Sequence, residues 1–537
     1  MSVEDIERQR RAWRAGWRAA GLHSGRSLAS HVAQGAAEHG EDVQVFVGEH
    51  GVRTYSLGQL YEHALSVATA IGDAGVGPGD TVAVHLANSP EAIMSYLAVH
   101  AAGAALVPIP SIYSERETRF ILADSGAQML ITAAAWRGHT YLDAVPGYLA
   151  DGQLQHVVVT GGDRHDYLSF GDLLTVPARP MPRPGPVSGE MPAAIIYTSG
   201  STANPKGAMH SDDTLAFEVL QSYPPERMAG SRWLNAAPAG HMGGYLAALK
   251  LMMFGRPGVW MERWDPSAAL ALIREHRVSA ATLVPFHLTT LLETMQKQGV
   301  PHLKLGDVLC GSTTVPTALI EDAAAHGIGA YRCYGSTEHP TISKSDRHGT
   351  LAYRSQTDGI VLPELTVKVV TDDGTLLPDG TEGEILSNGP DQFLRYTSDA
   401  DNESAFTADG YFRTGDIGLL RDGVLTITGR KKEIIIRGGE NISVREIEEL
   451  LLRHPAVRDA AVVPRSHDRY GEQVWAFLRT AGNQQLTLDD VRQHFRALGV
   501  ARQKTPEGVV VLAEFPRTPA GKVAKRDLRE SLGTTST

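Results

Sequence analysis

Short runs of apolar and β-branched residues alternate along this chain with longer stretches whose apolar positions recur every three or four residues. Runs at 43–47, 81–86, 105–108 and 129–132 read as strands, and 56–74, 89–101 and 115–125 as helices. The rhythm returns with strands at 232–236, 258–261, 281–284 and 308–310, and helices at 243–253, 266–276, 286–298 and 317–326. Strands separated by helices predict parallel sheets covered on both faces, an α/β architecture.

Between about 365 and 428 the texture changes. Short strands are punctuated by Asp373-Gly374, Asp379-Gly380, Asp409-Gly410 and Asp422-Gly423. These dipeptides suit tight hairpins and predict a small antiparallel β subdomain. A further boundary falls near 429–432. Beyond it, Ser443 and Glu446 make a capping-box pattern that opens a helix over 444–454. Runs at 460–464 and 474–478 read as paired strands. A helix over 488–498, a strand over 509–515 and a basic tail helix follow. The chain therefore divides into 1–430 and a module at 431–537, large enough to fold separately.

Composition narrows the function. Of 537 residues 42% are hydrophobic and 21% charged, ordinary for a soluble globular protein. A net charge of −11 provides no general basic field, so no nucleic-acid partner is expected. The two cysteines, Cys310 and Cys333, exclude a disulfide scaffold and fit a reducing, cytoplasmic setting. The first 26 residues lack the apolar segment of a signal peptide. The apolar stretch at 97–110 contains His100, Pro108 and Pro110 and is too short and broken to span a bilayer, so no stable membrane insertion is expected. Arg10, Arg11, Arg14 and Arg18 with Trp13 and Trp17 suggest an amphipathic first helix, docked on the protein's own surface or, alternatively, on a membrane surface. A homo-oligomer stays open.

The chemistry concentrates at 195–211, Ile-Ile-Tyr-Thr-Ser-Gly-Ser-Thr-Ala-Asn-Pro-Lys-Gly-Ala-Met-His-Ser. Hydroxyls at Thr198, Ser199, Ser201 and Thr202, Gly200 and the cation Lys206 lie between two apolar runs. Backbone N–H groups, hydroxyls and an ammonium make a polyphosphate clamp. The order differs from G-x-x-x-x-G-K-[ST], and Gly207 leads into a second strand. A Ser/Gly surface loop is the plain alternative. Four further segments stand out: Tyr334-Gly335-Ser336-Thr337-Glu338, Tyr411-Phe-Arg-Thr-Gly-Asp416, Gly429-Arg430-Lys431-Lys432-Glu433 with Arg437-Gly438-Gly439-Glu440-Asn441, and Pro516-Arg-Thr-Pro-Ala-Gly-Lys522. A carboxylate such as Glu338 on a loop could hold Mg²⁺, and Asp416 could clamp two sugar hydroxyls. No G-x-S-x-G elbow, zinc-ligand cluster or dinucleotide fingerprint is present.

In this order the segments resemble the signatures of the adenylate-forming superfamily, over roughly residues 25–530. Ala203 departs from the usual Gly of the first signature and marks a subfamily. The resemblance implies a large domain of two α/β parallel-sheet subdomains plus a small β-barrel subdomain, followed by a mobile C-terminal α+β domain. It implies ATP, Mg²⁺ and coenzyme A as cofactors. Thr198, Ser199, Gly200, Ser201, Thr202 and Lys206 would hold the phosphates. Glu338 and Thr198 would hold Mg²⁺. Gly311, Ser312, Tyr334, Gly335, Ser336 and Thr337 would border adenine, and Asp416 and Arg430 the ribose. Lys522 would stabilise charge developing during adenylation. Lys432 falls on the family's hinge, and Gly438, Gly439 and Glu440 on the coenzyme A path. His241, Met242, Gly243, Thr313 and His339 would border the acyl pocket, with space at Gly243 and Gly244. The function implied is an acid–CoA ligase for a medium-chain, alicyclic or aromatic carboxylic acid, of the kind used in fatty acid metabolism. Alternatives are a stand-alone adenylating enzyme serving a carrier-protein thiol, nitrite activation, or a non-catalytic nucleotide-binding regulator.

Overall fold

The computed structural model describes residues 3–161, 166–179, 189–198, 204–222, 230–437, 440–467, 471–500, 504–518 and 521–534. Two large sheets organise residues up to 430. The first has eight strands, in the order Arg395–Tyr396, Gly207–His210, Ala194–Tyr197, Ala105–Pro108, Thr81–His85, Met129–Ala133, His156–Thr160 and Leu168–Ser169. From Ala194–Tyr197 to Leu168–Ser169 its neighbours run parallel. The second sheet has thirteen strands, and Ile328–Tyr334, Leu305–Cys310, Ala280–Leu283, Trp233–Asn235, Gly258–Met261 and Val43–Gly48 are its parallel part. The hairpin partner Gly51–Ser56 closes one edge, a strand whose polar, mostly exposed sequence gave no apolar alternation to read.

Two helices, Pro90–Ala102 and Met242–Phe254, lie between the sheets. Both are apolar on nearly every face and almost wholly buried, as a helix in a shared interior layer must be. One core joins them to Val82 and Leu106 of the first sheet and to Phe46 and Trp260 of the second. The Tyr245 hydroxyl meets His100 Nε2 at 2.8 Å, so these two polar groups carried into the layer satisfy each other. Pro90–Ala102 starts on the Ser89 hydroxyl with Pro90 in its first turn and ends at Gly103 in the left-handed region, with φ 76°.

The antiparallel subdomain is continuous with the second parallel sheet. Tyr334, the last residue of Ile328–Tyr334, pairs with Ser343, and the ladder continues through Gly359–Val361, Val424–Arg430, Phe412–Arg421, Gly383–Asn388 and Thr366–Val370. Asp422-Gly423 is the two-residue hairpin turn predicted, with φ 52° and 77°. The other three Asp-Gly pairs form turns without joining two long strands, because their flanks pair only through single bridges or other partners.

The C-terminal sheet has five strands: Glu440–Ser443, Ile434–Arg437, Gly471–Thr480, Val457–His467 and Gly508–Val511. Its central strands are apolar on both faces. Val462, Val474, Ala476 and Leu478 enter one core with Ile447 and Phe495, while Ala461, Val463 and Phe477 enter another with Phe515 and Leu528. Helices Val444–Leu452 and Leu488–Ala497 cover the first face and Lys525–Thr534 the second. The capping box at 443–446 is only half formed. The Ser443 hydroxyl accepts from the Glu446 N–H, but the Glu446 carboxylate turns to Lys504 Nζ at 2.7 Å. The strand expected over 509–515 is the shorter Gly508–Val511.

The first helix, Val3–Ala19, docks on the protein itself. Arg10 is 4% exposed, donates to the carbonyls of Leu394 and Phe393, and lies over the Phe406 ring at 3.6 Å. Arg14 pairs with Glu190 and Arg18 with Asp213. Among the described residues no helix is long and apolar enough to cross a membrane.

Candidate active site

The candidate residues gather at the carboxyl ends of strands where parallel pairing gives way to antiparallel, the crevice in which α/β folds commonly bind ligands. Thr198 follows Ala194–Tyr197, and Lys206 precedes the antiparallel partner Gly207–His210. The Thr198 N–H donates to the Lys206 carbonyl at 2.9 Å, which closes the neck of the loop. Ser199, Gly200, Ser201, Thr202 and Ala203 lie outside the described residues. Lys206 Nζ lies 2.5 Å from Asp401 Oδ1 and 5.1 Å from the centre of the Tyr396 ring. On the other side Tyr396 donates its hydroxyl to Glu338 Oε1 at 2.6 Å. Burial and this carboxylate hold the Tyr396 phenol protonated. A cation and a carboxylate thus share one tyrosine, each with capacity left for a ligand.

Glu338 sits on a tight turn. The Ser336 hydroxyl accepts from the N–H groups of Glu338 and His339, both at 3.2 Å, and the Ser336 N–H donates to the His339 carbonyl. Gly335 is required by close approach: a Cβ there would stand 1.8 Å from the Pro340 carbonyl oxygen. The Thr337 carbonyl accepts from His210 Nε2 at 2.8 Å, across from the clamp strand. His339 departs from its expected place in the acyl pocket. Its ring is 0% exposed and spends both nitrogens inside the protein, Nδ1 on Ser387 and Nε2 on Asp391. It anchors the turn from behind.

Asp416 is 3% exposed, and both its oxygens are engaged. Tyr334 donates its hydroxyl to Oδ2 at 2.7 Å, and Arg430 Nε lies 2.8 Å from Oδ1. Burial raises the Asp416 carboxyl above the usual range, and Arg430 opposes that rise. Three of the sequence segments, otherwise dispersed along the chain, meet in this Tyr334–Asp416–Arg430 triad.

Lys522 enters from the C-terminal region, on the turn between Arg517 and Val523, with the Thr518 N–H on its carbonyl at 2.7 Å. Among the described residues its Nζ has no hydrogen-bond or ion-pair partner. Burial and the Arg430 charge lower its pKa to about 8, against the attraction of Asp416, Glu338 and Glu433. His241 faces the same space. Burial and then the Lys522 charge lower its pKa to about 4, so it is neutral at pH 7, and its Nε2 has no partner among the described residues. His241 precedes the helix Met242–Phe254, with its ring edge-on to Tyr113 at 6.0 Å. The space expected at both following glycines exists at only one. A Cβ on Gly243 would meet nothing within 4 Å, whereas one on Gly244 would stand 2.1 Å from the Pro238 carbonyl oxygen. Met242 is buried in the interlayer core, and its packing is structural.

Gly311 is buried against Cys333, while Ser312 and Thr313 are exposed, Ser312 with φ 69°. The backbone of Lys432 lies in the short turn Lys431–Glu433, directly after Arg430. Gly438 and Gly439 lie outside the described residues, as does the side chain of Glu440. Sequence reading missed Tyr396, Asp401 and the His339 supports Ser387 and Asp391. These are single polar residues without a motif, and only the fold brings them to the site.

No cluster of three or more metal-binding side chains exists among the described residues. One carboxylate at Glu338 and a hydroxyl at Thr198 suit Mg²⁺ arriving with ATP, since this ion is commonly held by one or two carboxylates together with substrate phosphates.

Over residues 32–397 the chain matches the AMP-binding enzyme family, and over 446–522 the AMP-binding enzyme C-terminal domain. It belongs to this family of adenylate-forming enzymes. It is 31% identical to the medium-chain fatty-acid–CoA ligase of Escherichia coli (strain K12), across 97% of this chain and 93% of that one. It is 33% identical to the indoleacetate–CoA ligase of Aromatoleum aromaticum, across 89% and 93%. The fold superposes on ATP-bound MatB from Rhodopseudomonas palustris with a TM-score of 0.83 at 26% identity, covering 94% of this chain and 99% of that one.

Proposed function

We propose that the enzyme joins a carboxylic acid of medium-chain, alicyclic or aromatic type to coenzyme A through an acyl-adenylate. The observation that carries this reading is the Lys522 ammonium, without a partner among the described residues and set among Glu338, Asp416, Arg430 and neutral His241. In the first half-reaction a carboxylate oxygen of the acid attacks the α-phosphorus of ATP, the bond to the bridging oxygen breaks, and pyrophosphate leaves. Lys206 and the 198–202 hydroxyls hold the departing phosphates, and Asp416 and Arg430 hold the ribose. Lys522 spans the acid and the α-phosphate, where negative charge gathers. Glu338 and Thr198 would hold Mg²⁺, which would neutralise charge on the phosphates.

In the second half-reaction a thiolate attacks the acyl carbon and AMP leaves. Lys522 has no part in this step, so residues 431–537 turn about Lys432 and bring Gly438, Gly439 and Glu440 toward the acyl-adenylate. The acid chain occupies the space beside Gly243. Cys310 and Cys333 form no disulfide, which suits action in the cytoplasm.

The test is a panel of aliphatic, alicyclic and aromatic acids scored by pyrophosphate release with and without coenzyme A. Acid-dependent release together with thioester formation is expected. Release without thiol consumption assigns another acceptor, such as a carrier-protein thiol. No release with any acid, or with nitrite, removes the ligase reading and leaves a nucleotide-binding regulator.

A further inference from the structure

One face of the helix Pro285–Lys297 meets the C-terminal region through an unbroken chain of contacts. Phe286, in the first turn, lies under the Arg517 guanidinium, whose Cζ is 4.2 Å from the ring centre. Arg517 donates from Nη2 to Asp459 Oδ2 and from Nη1 to the Gly521 carbonyl, both at 2.9 Å. Asp459 stands directly opposite Arg479 in the antiparallel ladder. Arg479 Nη2 then returns to the starting helix, 2.9 Å from Glu293 Oε1. Glu293 follows Phe286 by seven positions, which places both on one face about 10 Å apart along the axis.

Arg517 connects this docking face to the chemistry. The carbonyl it binds belongs to Gly521, immediately before Lys522, so the same guanidinium holds both the turn that presents the ammonium and the ring of the opposing domain. The charges alternate, with Arg517 and Arg479 separated by Asp459 and ending on Glu293. Arg479 and Glu293 keep 20% and 28% of their side-chain surface exposed. Such partly solvated contacts are individually weak. That suits an interface that must part in every turnover.

We infer that Phe286 and Glu293 form a latch that docks Arg517 and Arg479 and thereby positions Lys522 for acyl-adenylate formation. The inference rests on the two-step reading above. The latch acts on the first half-reaction alone, because thioester formation requires it to open. Losing either contact should shift the closed population about three- to tenfold.

Glu293→Lys, Phe286→Leu and the double variant test this at saturating acid and ATP. Acid-dependent ATP–pyrophosphate exchange should fall about three- to tenfold in each single variant and further in the double. Thioester formation from supplied acyl-adenylate should stay level or rise. Unchanged exchange in the double variant, or a parallel fall of both half-reactions, would overturn the latch. If the wild type shows no exchange with any acid, the ligase reading fails, and the latch is read by small-angle scattering. The double variant should then have a larger radius of gyration than the wild type, and equal radii would overturn the inference.

Discussion

The two sides of the active site are held in opposite ways. On the side built from the large sheets, each charged group has a partner: Asp416 has Tyr334 and Arg430, Glu338 has Tyr396, and Lys206 has Asp401. On the C-terminal side, Lys522 has none among the described residues and hangs from a turn fixed by Arg517. The first side is preorganised, so on the proposed reading nucleotide binding would cost little rearrangement there. The second carries a desolvated cation whose interactions, on the proposed mechanism, substrate would complete. On that mechanism this group enters for one half-reaction and leaves for the next, and it would gain nothing from a permanent partner.

The largest effect should come from removing that cation. Lys522→Ala is expected to slow acyl-adenylate formation by about 10²–10³-fold, the range typical for loss of a charge-stabilising donor. Thioester formation from supplied acyl-adenylate should change by less than a few-fold, and equal losses in both assays would erase the contrast between the two sides. The pKa of about 8 adds a pH signature. The ammonium is the active form, so kcat/KM for adenylation should fall as pH rises past about 8, not near the ordinary lysine value. Lys522→Arg should abolish that limb while retaining some adenylation.

On the preorganised side, Asp416→Asn leaves Arg430 without its carboxylate. A cost of about 1–3 kcal/mol in ATP binding is expected, read as a raised KM for ATP with thioester formation from saturating acyl-adenylate less affected. An unchanged KM for ATP would remove the ribose-side assignment. Arg10→Ala strips a guanidinium from the Leu394 and Phe393 carbonyls and the Phe406 ring. It should cost about 1–3 kcal/mol of stability, visible in a chemical denaturation midpoint, with kcat/KM of the folded enzyme preserved. The smallest effect belongs to Tyr396→Phe, which removes one donor from Glu338. About 1 kcal/mol, a roughly fivefold fall in adenylation, is expected, and a null result would show that the ring alone suffices beneath Lys206.

Local patterns foretold most of the elements. The helix Glu115–Ser125 and the strands Ala105–Pro108 and Gly258–Met261 lie where the spacing of apolar residues put them. Their caps are local as well, such as the Ser114–Glu117 box. The hidden strand Gly51–Ser56 has no apolar alternation because its side chains are largely exposed. Glu446 looked like the second half of a capping box until the fold brought Lys504 within 2.7 Å, offering the carboxylate a stronger, charged partner. The family resemblance put His339 in the acyl pocket, yet the turn after Glu338 sends its ring into the protein, onto Ser387 and Asp391.

By itself the sequence determined the alternation of strands and helices, and it singled out the candidate phosphate-clamp segment and the candidates Lys206, Glu338, Asp416, Arg430 and Lys522. These depend on local periodicity, turn chemistry and short motifs, all of which act over a few residues. Only the tertiary structure decided that Tyr334, Asp416 and Arg430 share one site and that Tyr396 stands between Lys206 and Glu338. It alone set Phe286 and Glu293 against Arg517 and Arg479. Such pairings join residues tens to hundreds of positions apart, and it is strand order and layer packing, which no local pattern encodes, that bring them within bonding distance.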